Sequence, residues 1–177
     1  MFRAAYRNFG LTDRNKSNKS KKKSKKFESI VVSHTVDVGD DRAGVRWAEL
    51  RNHGHGFETY QAGTYAPDDG EHRWMGSASI NKKGDIAIGY SISSESTFPS
   101  VRMAARKSDD PLGELGEEME CVMGLGSQIT SANRWGDYSS MSVDPKGEQT
   151  FWYTQEYYDA TGAFDFKTRV CSFKVKK

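Results

Sequence analysis

A recurring four-strand period constrains this chain more than any other feature. Short runs rich in Val, Ile, Tyr, Phe, Trp and Ser, punctuated by Gly, Asn and Asp, follow one another from end to end. None carries the sustained i, i+3, i+4, i+7 apolar stripe of a helix. Strands are expected over residues 2–9, 28–36, 44–51, 57–65, 75–81, 85–93, 100–108, 119–126, 138–144, 150–158 and 168–176. Within this series His72-Arg73-Trp74 and Asn133-Arg134-Trp135 stand 61 residues apart, each just before a Ser-rich strand. Asn81-Lys82-Lys83-Gly84 parallels Asp144-Pro145-Lys146-Gly147, each a hairpin turn with a Gly where a positive φ is needed. The strands DIAIGYS (85–91) and TFWYTQE (150–156) follow at matching distances. A third element occurs three times, as Val45-Arg46-Trp47, Val101-Arg102-Met103 and Thr168-Arg169-Val170, with its arginines 56 and then 67 residues apart.

Four-stranded antiparallel units at this period are the pattern of propeller blades. The expected fold is all-β: a partial β-propeller of about three four-stranded antiparallel blades, over residues 1–66, 72–128 and 133–177, the last blade incomplete. A closed propeller needs at least about four blades. The chain is therefore expected to be a fragment, the C-terminal part of a longer propeller, that relies on missing blades or on self-association.

Composition sets further bounds. The 177 residues suffice for one domain with a core. With 36% hydrophobic residues and no apolar run of 18, the chain has no segment suited to a membrane-spanning helix. Residues 1–10 lack the apolar core of a secretion signal. The net charge of +2 divides into +7 over residues 11–26 and −5 over the rest. That Lys-rich stretch cannot pack and is expected to be a disordered loop insertion. Lys21, Lys22, Lys23, Lys25 and Lys26 are its candidate polyanion contacts, acting by counterion release. It holds no aromatic residue for base stacking and Arg14 as its one arginine, so nucleic acid is not the expected partner. Cys121 and Cys171 exclude a disulfide-rich scaffold and a four-cysteine zinc site; lying on different blades, they are expected to be small buried thiols.

Several strings carry a resemblance. AYRNF, ESIVVSHTVDVG, AGVRWAELR, YQAGTYAPDDGEHRWMGSASIN, GDIAIGYS, PSVRMAARK, DPLG, GSQ, NRWGDYSSMSVDP and TFWYTQEYY occur in this order. Together the chain resembles a family of large, mostly uncharacterised secreted bacterial proteins with sialidase-like β-propellers of the BNR type. RWGDYSSMSVDP is the most specific part, and residues 11–26 fall where such proteins turn tightly. The resemblance implies the propeller fold and an extracellular location, and no established activity. Ser142 to Trp152 is also similar to the Asp-box of sialidase blades, S-x-D-x-G-x-x-[WF], though longer by about two residues; such a box organises a turn and marks fold.

Strand order places two sets of loops at one end of the blades, where propellers bind ligands. Arg73, Trp74, Arg134, Trp135, Asp137, Glu156 and Tyr157 are the candidate ligand-binding residues there. Arginine can clamp a carboxylate while tryptophan stacks on a sugar ring. The competing reading is a scaffold, in which Trp packs between blades and Arg pairs with a nearby Asp, and recurrence at equal positions favours it. Arg46, Arg102 and Arg169 are expected at blade edges, as salt bridges or snorkelling stems. Glu156-Tyr157-Tyr158 and Asp137-Tyr138 are the local acid–tyrosine sets like those of a retaining sialidase, but sequence neighbours on a strand point to opposite faces. Asp37, Asp40 and Asp41, and separately Asp68, Asp69 and Glu71, offer oxygens for Ca²⁺ without matching a defined calcium loop. His53 and His55 lie on a turn without a third ligand, and no other metal or cofactor is expected. The expected role is therefore non-catalytic: a propeller piece that binds carbohydrate or protein, or acts as a scaffold. The rivals are a sialidase-like glycoside hydrolase with an incomplete site and a polyanion binder acting through the Lys-rich loop.

Overall fold

Period-two alternation of inward and outward residues is clearest in the first sheet, where β2 buries Ser29, Val31 and Ser33 in turn. The computed structural model describes residues 4–10, 26–132 and 134–175. Eleven strands follow in order: β1 (Ala5–Asn8), β2 (Glu28–Asp37), β3 (Ala43–Asn52), β4 (Phe57–Tyr65), β5 (His72–Ile80), β6 (Ile86–Ser93), β7 (Ser100–Arg106), β8 (Met119–Val122), β9 (Ser140–Val143), β10 (Phe151–Tyr157) and β11 (Lys167–Phe173). They form three antiparallel sheets: β1-β2-β3-β4, β5-β6-β7-β8 and β9-β10-β11. Sequence neighbours pair throughout, and among the described residues there is no helix. The expected all-β class, strand count and strand order are thus present, with three strands in the last sheet.

The sheets stack face to face with the second in the middle, so its central strand is buried on both sides. β6 directs Ile86, Ile88 and Tyr90 into a core with Val31, Val45 and Trp47 of the first sheet. Its alternate residue Ala87 joins Val101 and Met103 in a second core against Met141, Phe151 and Tyr153 of the third. The close approach of this second pair has a specific cause: a Cβ on Gly89 would run into the ring of Tyr153. Only glycine leaves room for that ring to lie flat on β6.

The first core also holds a charge. Glu49 is fully buried and accepts hydrogen bonds from Ser29 Oγ (2.8 Å), Arg51 Nε (2.6 Å) and Gln61 Nε2 (2.6 Å). Gln61 in turn accepts the Gly113 N–H, tying β4 to the β7–β8 connection. Arg51 lies over the rings of Tyr60 and Phe27, so its charge is paired on one side and covered on the others.

The two paralleled turns are built alike. Asn81 Oδ1 accepts the N–H groups of Lys83 and Asp85, and Asp144 Oδ1 accepts that of Lys146. Trp152 Nε1 donates to Asp144 Oδ2 at 3.2 Å, which fastens the indole beside its turn. Such turns are scaffolding.

Three expectations are corrected. β5 begins at His72, so Arg73 and Trp74 lie within a strand; a bulge between Trp74 and Ser77 allows pairing to resume beyond it. β8 stops at Val122, and residues 123–127 leave the sheet. Cys121 and Cys171 are joined in a disulfide, linking β8 of the second sheet to β11 of the third across 50 residues of chain. Stacking brings the outer strands of neighbouring sheets edge to edge, which sequence separation conceals.

Candidate functional site

The bulge in β5 organises one end of the stack. Met75 sits there with φ of 53°, a left-handed conformation that costs a non-glycine residue on the order of 1 kcal/mol. Its peptide groups are held from both sides: the Met75 N–H donates to Thr35 Oγ1 (3.2 Å), and the Met75 carbonyl accepts Ser139 Oγ (2.8 Å). The first sheet and the segment leading into β9 therefore both hold this residue.

On one side of the bulge lies a cleft of about 460 Å³, lined by Trp74, Glu95, Phe98, Gln128, Arg134 and Trp135 among others. Both indoles are fixed by serines of β6: Trp74 Nε1 donates to Ser93 Oγ (3.1 Å) and Trp135 Nε1 to Ser91 Oγ (3.2 Å). The two rings meet edge to face at 5.3 Å, and Trp135 also packs on Tyr158. One wall is the β6–β7 hairpin, where Ser94 Oγ accepts the N–H groups of Ser96 and Thr97 and Thr97 Oγ1 donates to Glu71. The other is segment 125–129, strapped to 158–162 by three backbone hydrogen bonds. Gln128 Nε2 donates to the hydroxyl of the buried Tyr158.

A smaller cleft of about 250 Å³ lies on the other side, with His34, Thr35, Met75, Asp137, Tyr138 and Ser139 in its lining. Arg134 lines the first cleft and Asp137 the second, and an ion pair joins the two side chains. This pair forms a charged partition between the clefts.

Arg73 lies elsewhere. It is fully buried and forks to two carboxylates, Asp69 (2.5 Å) and Glu118 (2.7 Å), and also donates to the Glu71 carbonyl. Tyr90 donates its hydroxyl to the same Glu118 oxygen at 2.7 Å. Burial alone would lower the Arg73 pKa, but hydrogen bonds and charge from Asp69 and Glu118 outweigh it and hold the guanidinium firmly protonated. The Arg73 hydrogen bond keeps Asp69 below the usual carboxylate range. Tyr90 is driven far upward by burial and the adjacent Glu118. A tyrosine, an acid and an arginine thus meet as in a retaining sialidase, yet Tyr90 and Arg73 are both shut off from solvent. The cluster ties the β4–β5 connection, β6 and the segment before β8 to one another. The repeated Arg-Trp pair has diverged: Arg73 is buried in a strand, whereas the Arg134 side chain is 70% exposed outside one.

Glu156 lies beneath Gly136, with its Oε1 lacking a hydrogen-bond partner. Burial raises its pKa, opposed by a hydrogen bond from the Gly136 backbone. Gln155 and Tyr153 are buried as well, and the Tyr153 hydroxyl is turned toward Ser139 and Gln155. Tyr157 turns to the opposite face of β10, into the core between the second and third sheets. A raised folded value means that Glu156 contributes fully below its ordinary pKa of 4.5, and that this contribution is lost as pH rises through the folded value. Glu156→Gln is expected to flatten this limb. The denaturation midpoint at about pH 4, taken relative to that at about pH 8, should be lower in the variant than in the parent, and an unchanged difference would contradict the assignment.

The remaining candidates are dispersed. Asp37 caps Gly39, Asp68 faces Arg42 at 3.8 Å, and Glu71 accepts Thr97. Among the described residues no group of three or more His, Cys, Asp or Glu side chains is placed to hold a metal ion, so the two acidic clusters are not assembled into a Ca²⁺ site. Asn52 Oδ1 accepts the N–H groups of Gly54, His55 and Gly56, shaping the histidine turn. Arg46 donates to Thr64 and Arg102 pairs with Glu120 at 3.2 Å, both across strands. Lys26 is exposed; Lys21, Lys22, Lys23 and Lys25 lie outside the described residues.

Sequence reasoning passed over Met75, Thr35, Ser139, Gln128 and Glu118. A positive φ at methionine leaves no mark in composition, and Glu118 reaches Arg73 from 45 residues away. Comparison with protein-family models, curated proteins and solved structures returned no match.

Proposed function

We propose that this chain is part of a non-catalytic β-propeller of the secreted type, and that it binds carbohydrate in the cleft lined by Trp74 and Trp135. The observation that carries this reading is the pair of indoles, each oriented by its own serine, beside the exposed guanidinium of Arg134. Flat aromatic faces suit the C–H faces of a sugar ring, while Arg134, Gln128 and Glu95 offer hydrogen bonds to its hydroxyls. Stacked sheets of recurring strand order support the propeller architecture. The Cys121–Cys171 disulfide is consistent with an oxidising compartment, such as the extracellular space. Support for a non-catalytic role comes from the burial of the Tyr90–Glu118–Arg73 cluster, which keeps a nucleophile of the sialidase kind from any substrate.

The test is binding to a panel of neutral and acidic oligosaccharides. At least one class should be retained, and Trp135→Ala should weaken that binding about tenfold or more, the scale of a lost aromatic anchor. Retention of none would overturn the reading. Release of reducing sugar with turnover would overturn its non-catalytic part.

A further inference from the structure

Each sheet has two unlike faces, and the way they mate inside the chain shows what the open ones fit. The second strands align as Ser29-Ile30-Val31-Val32-Ser33-His34, Asp85-Ile86-Ala87-Ile88-Gly89-Tyr90 and Thr150-Phe151-Trp152-Tyr153-Thr154-Gln155. In the second sheet Ile86, Ile88 and Tyr90 pack against the first sheet; in the third, Phe151 and Tyr153 pack against the second. Their counterparts Ile30, Val32 and His34 lie on the outer face of the first sheet, with Ile30 and Val32 half-buried and His34 exposed. On the opposite faces, Val31, Val45 and Trp47 are covered by the second sheet, and Ala87, Val101 and Met103 by the third. The corresponding residues of the third sheet, Trp152, Thr168 and Val170, are open, with Trp152 40% and Val170 59% exposed. Both internal contacts therefore join the same two kinds of face, and one of each kind remains uncovered.

We propose that a second copy of this chain seats the outer face of its third sheet on the outer face of the first, head to tail, and that two copies close. The first sheet thus meets the kind of face that Ile86 and Phe151 already meet within the chain. Closure at two gives six sheets, within the range of about 4–8 for propellers, and this count alone rests on the propeller reading. A ring of two contains two equal contacts. Strands of about seven residues, three abreast, present a face of roughly 300 Å², so four faces bury about 1,200 Å², above the ~1,000 Å² that a stable interface requires.

Sedimentation of the full chain, without any ligand, tests this separately from the carbohydrate cleft. The parent should run at twice its 19.9 kDa. Val32→Arg and Val170→Asp should each run as monomers, because each places a charge in both contacts of the ring. An equimolar mixture of the two should recover the dimer, since one contact then pairs Arg with Asp and the other is unaltered. Oxidative footprinting of the parent supplies a readout that does not depend on the variants folding: Trp152 and Val170 should become protected as concentration rises. A monomeric parent, or no protection, would overturn the contact. A dimer broken by Val32→Arg but not by Val170→Asp would mean like faces pair, and overturn the head-to-tail arrangement. Species larger than two copies would overturn closure.

Discussion

Replacing Arg73 by alanine is expected to destabilise the fold by about 2–3 kcal/mol, below the cost of breaking a fully buried ion pair because Asp69 and Glu118 keep contact with solvent. Arg73 has no exposed surface and serves three acceptors from two connections: Asp69 and the Glu71 carbonyl between β4 and β5, and Glu118 just before β8. Its loss leaves Glu118 accepting from Tyr90 alone, with no compensating cation. Lysine should recover little, because one ammonium cannot fork to two carboxylates. The acid limb of stability should change as well. Asp69 titrates below its ordinary 3.8 in the folded chain, so its contribution is present above that value and is lost as pH falls through the lower folded one. In Arg73→Ala this limb should shrink to what the backbone hydrogen bonds at Asp69 and Glu71 sustain. Denaturant titrations across pH 2–7 would measure both effects, and a variant within about 1 kcal/mol of the parent would show that the network is dispensable.

Reducing the disulfide, or replacing Cys121 and Cys171 together by serine, is expected to cost about 2–4 kcal/mol. The chain-entropy argument gives about 4 kcal/mol for a loop of 50 residues. For a chain of 177 residues this corresponds to a fall in Tm of roughly 10 °C. The loss should be local first. The bond fastens the outer strand of the second sheet to that of the third, so hydrogen exchange should quicken across β9–β11 before β2–β7. Uniform quickening would show that the sheets unfold as one unit and that the bond does not act as a local staple.

Strand positions were legible in the sequence because alternation and turn chemistry are local. Ile86, Ile88 and Tyr90 separate from Ala87 and Gly89 by period two, and Asn81 and Asp144 mark their turns by the backbone groups they bind. The candidate site was legible in part. Trp74, Arg134 and Trp135 line one cleft, whereas Asp137 lines the neighbouring one and Tyr157 is turned into the core. Arg73 misled most. Its sequence context repeats that of Arg134, but the two acidic partners that bury it have no equivalent at the later position. Met75 left no signal at all, since the groups that hold its peptide, Thr35 and Ser139, stand 40 and 64 residues away in the chain.

By itself the sequence determined the all-β class, the eleven strands and their pairing in chain order, because short turns leave consecutive strands little choice but to pair. Tertiary structure alone decided which arginine is buried, which cysteines bond and where two indoles share a cleft. Those outcomes depend on how one sheet lies upon the next. Folding of the second sheet brings Arg73 to Glu118, 45 positions on, and stacking of the sheets brings together residues 50 and 61 positions apart; no local pattern encodes either distance.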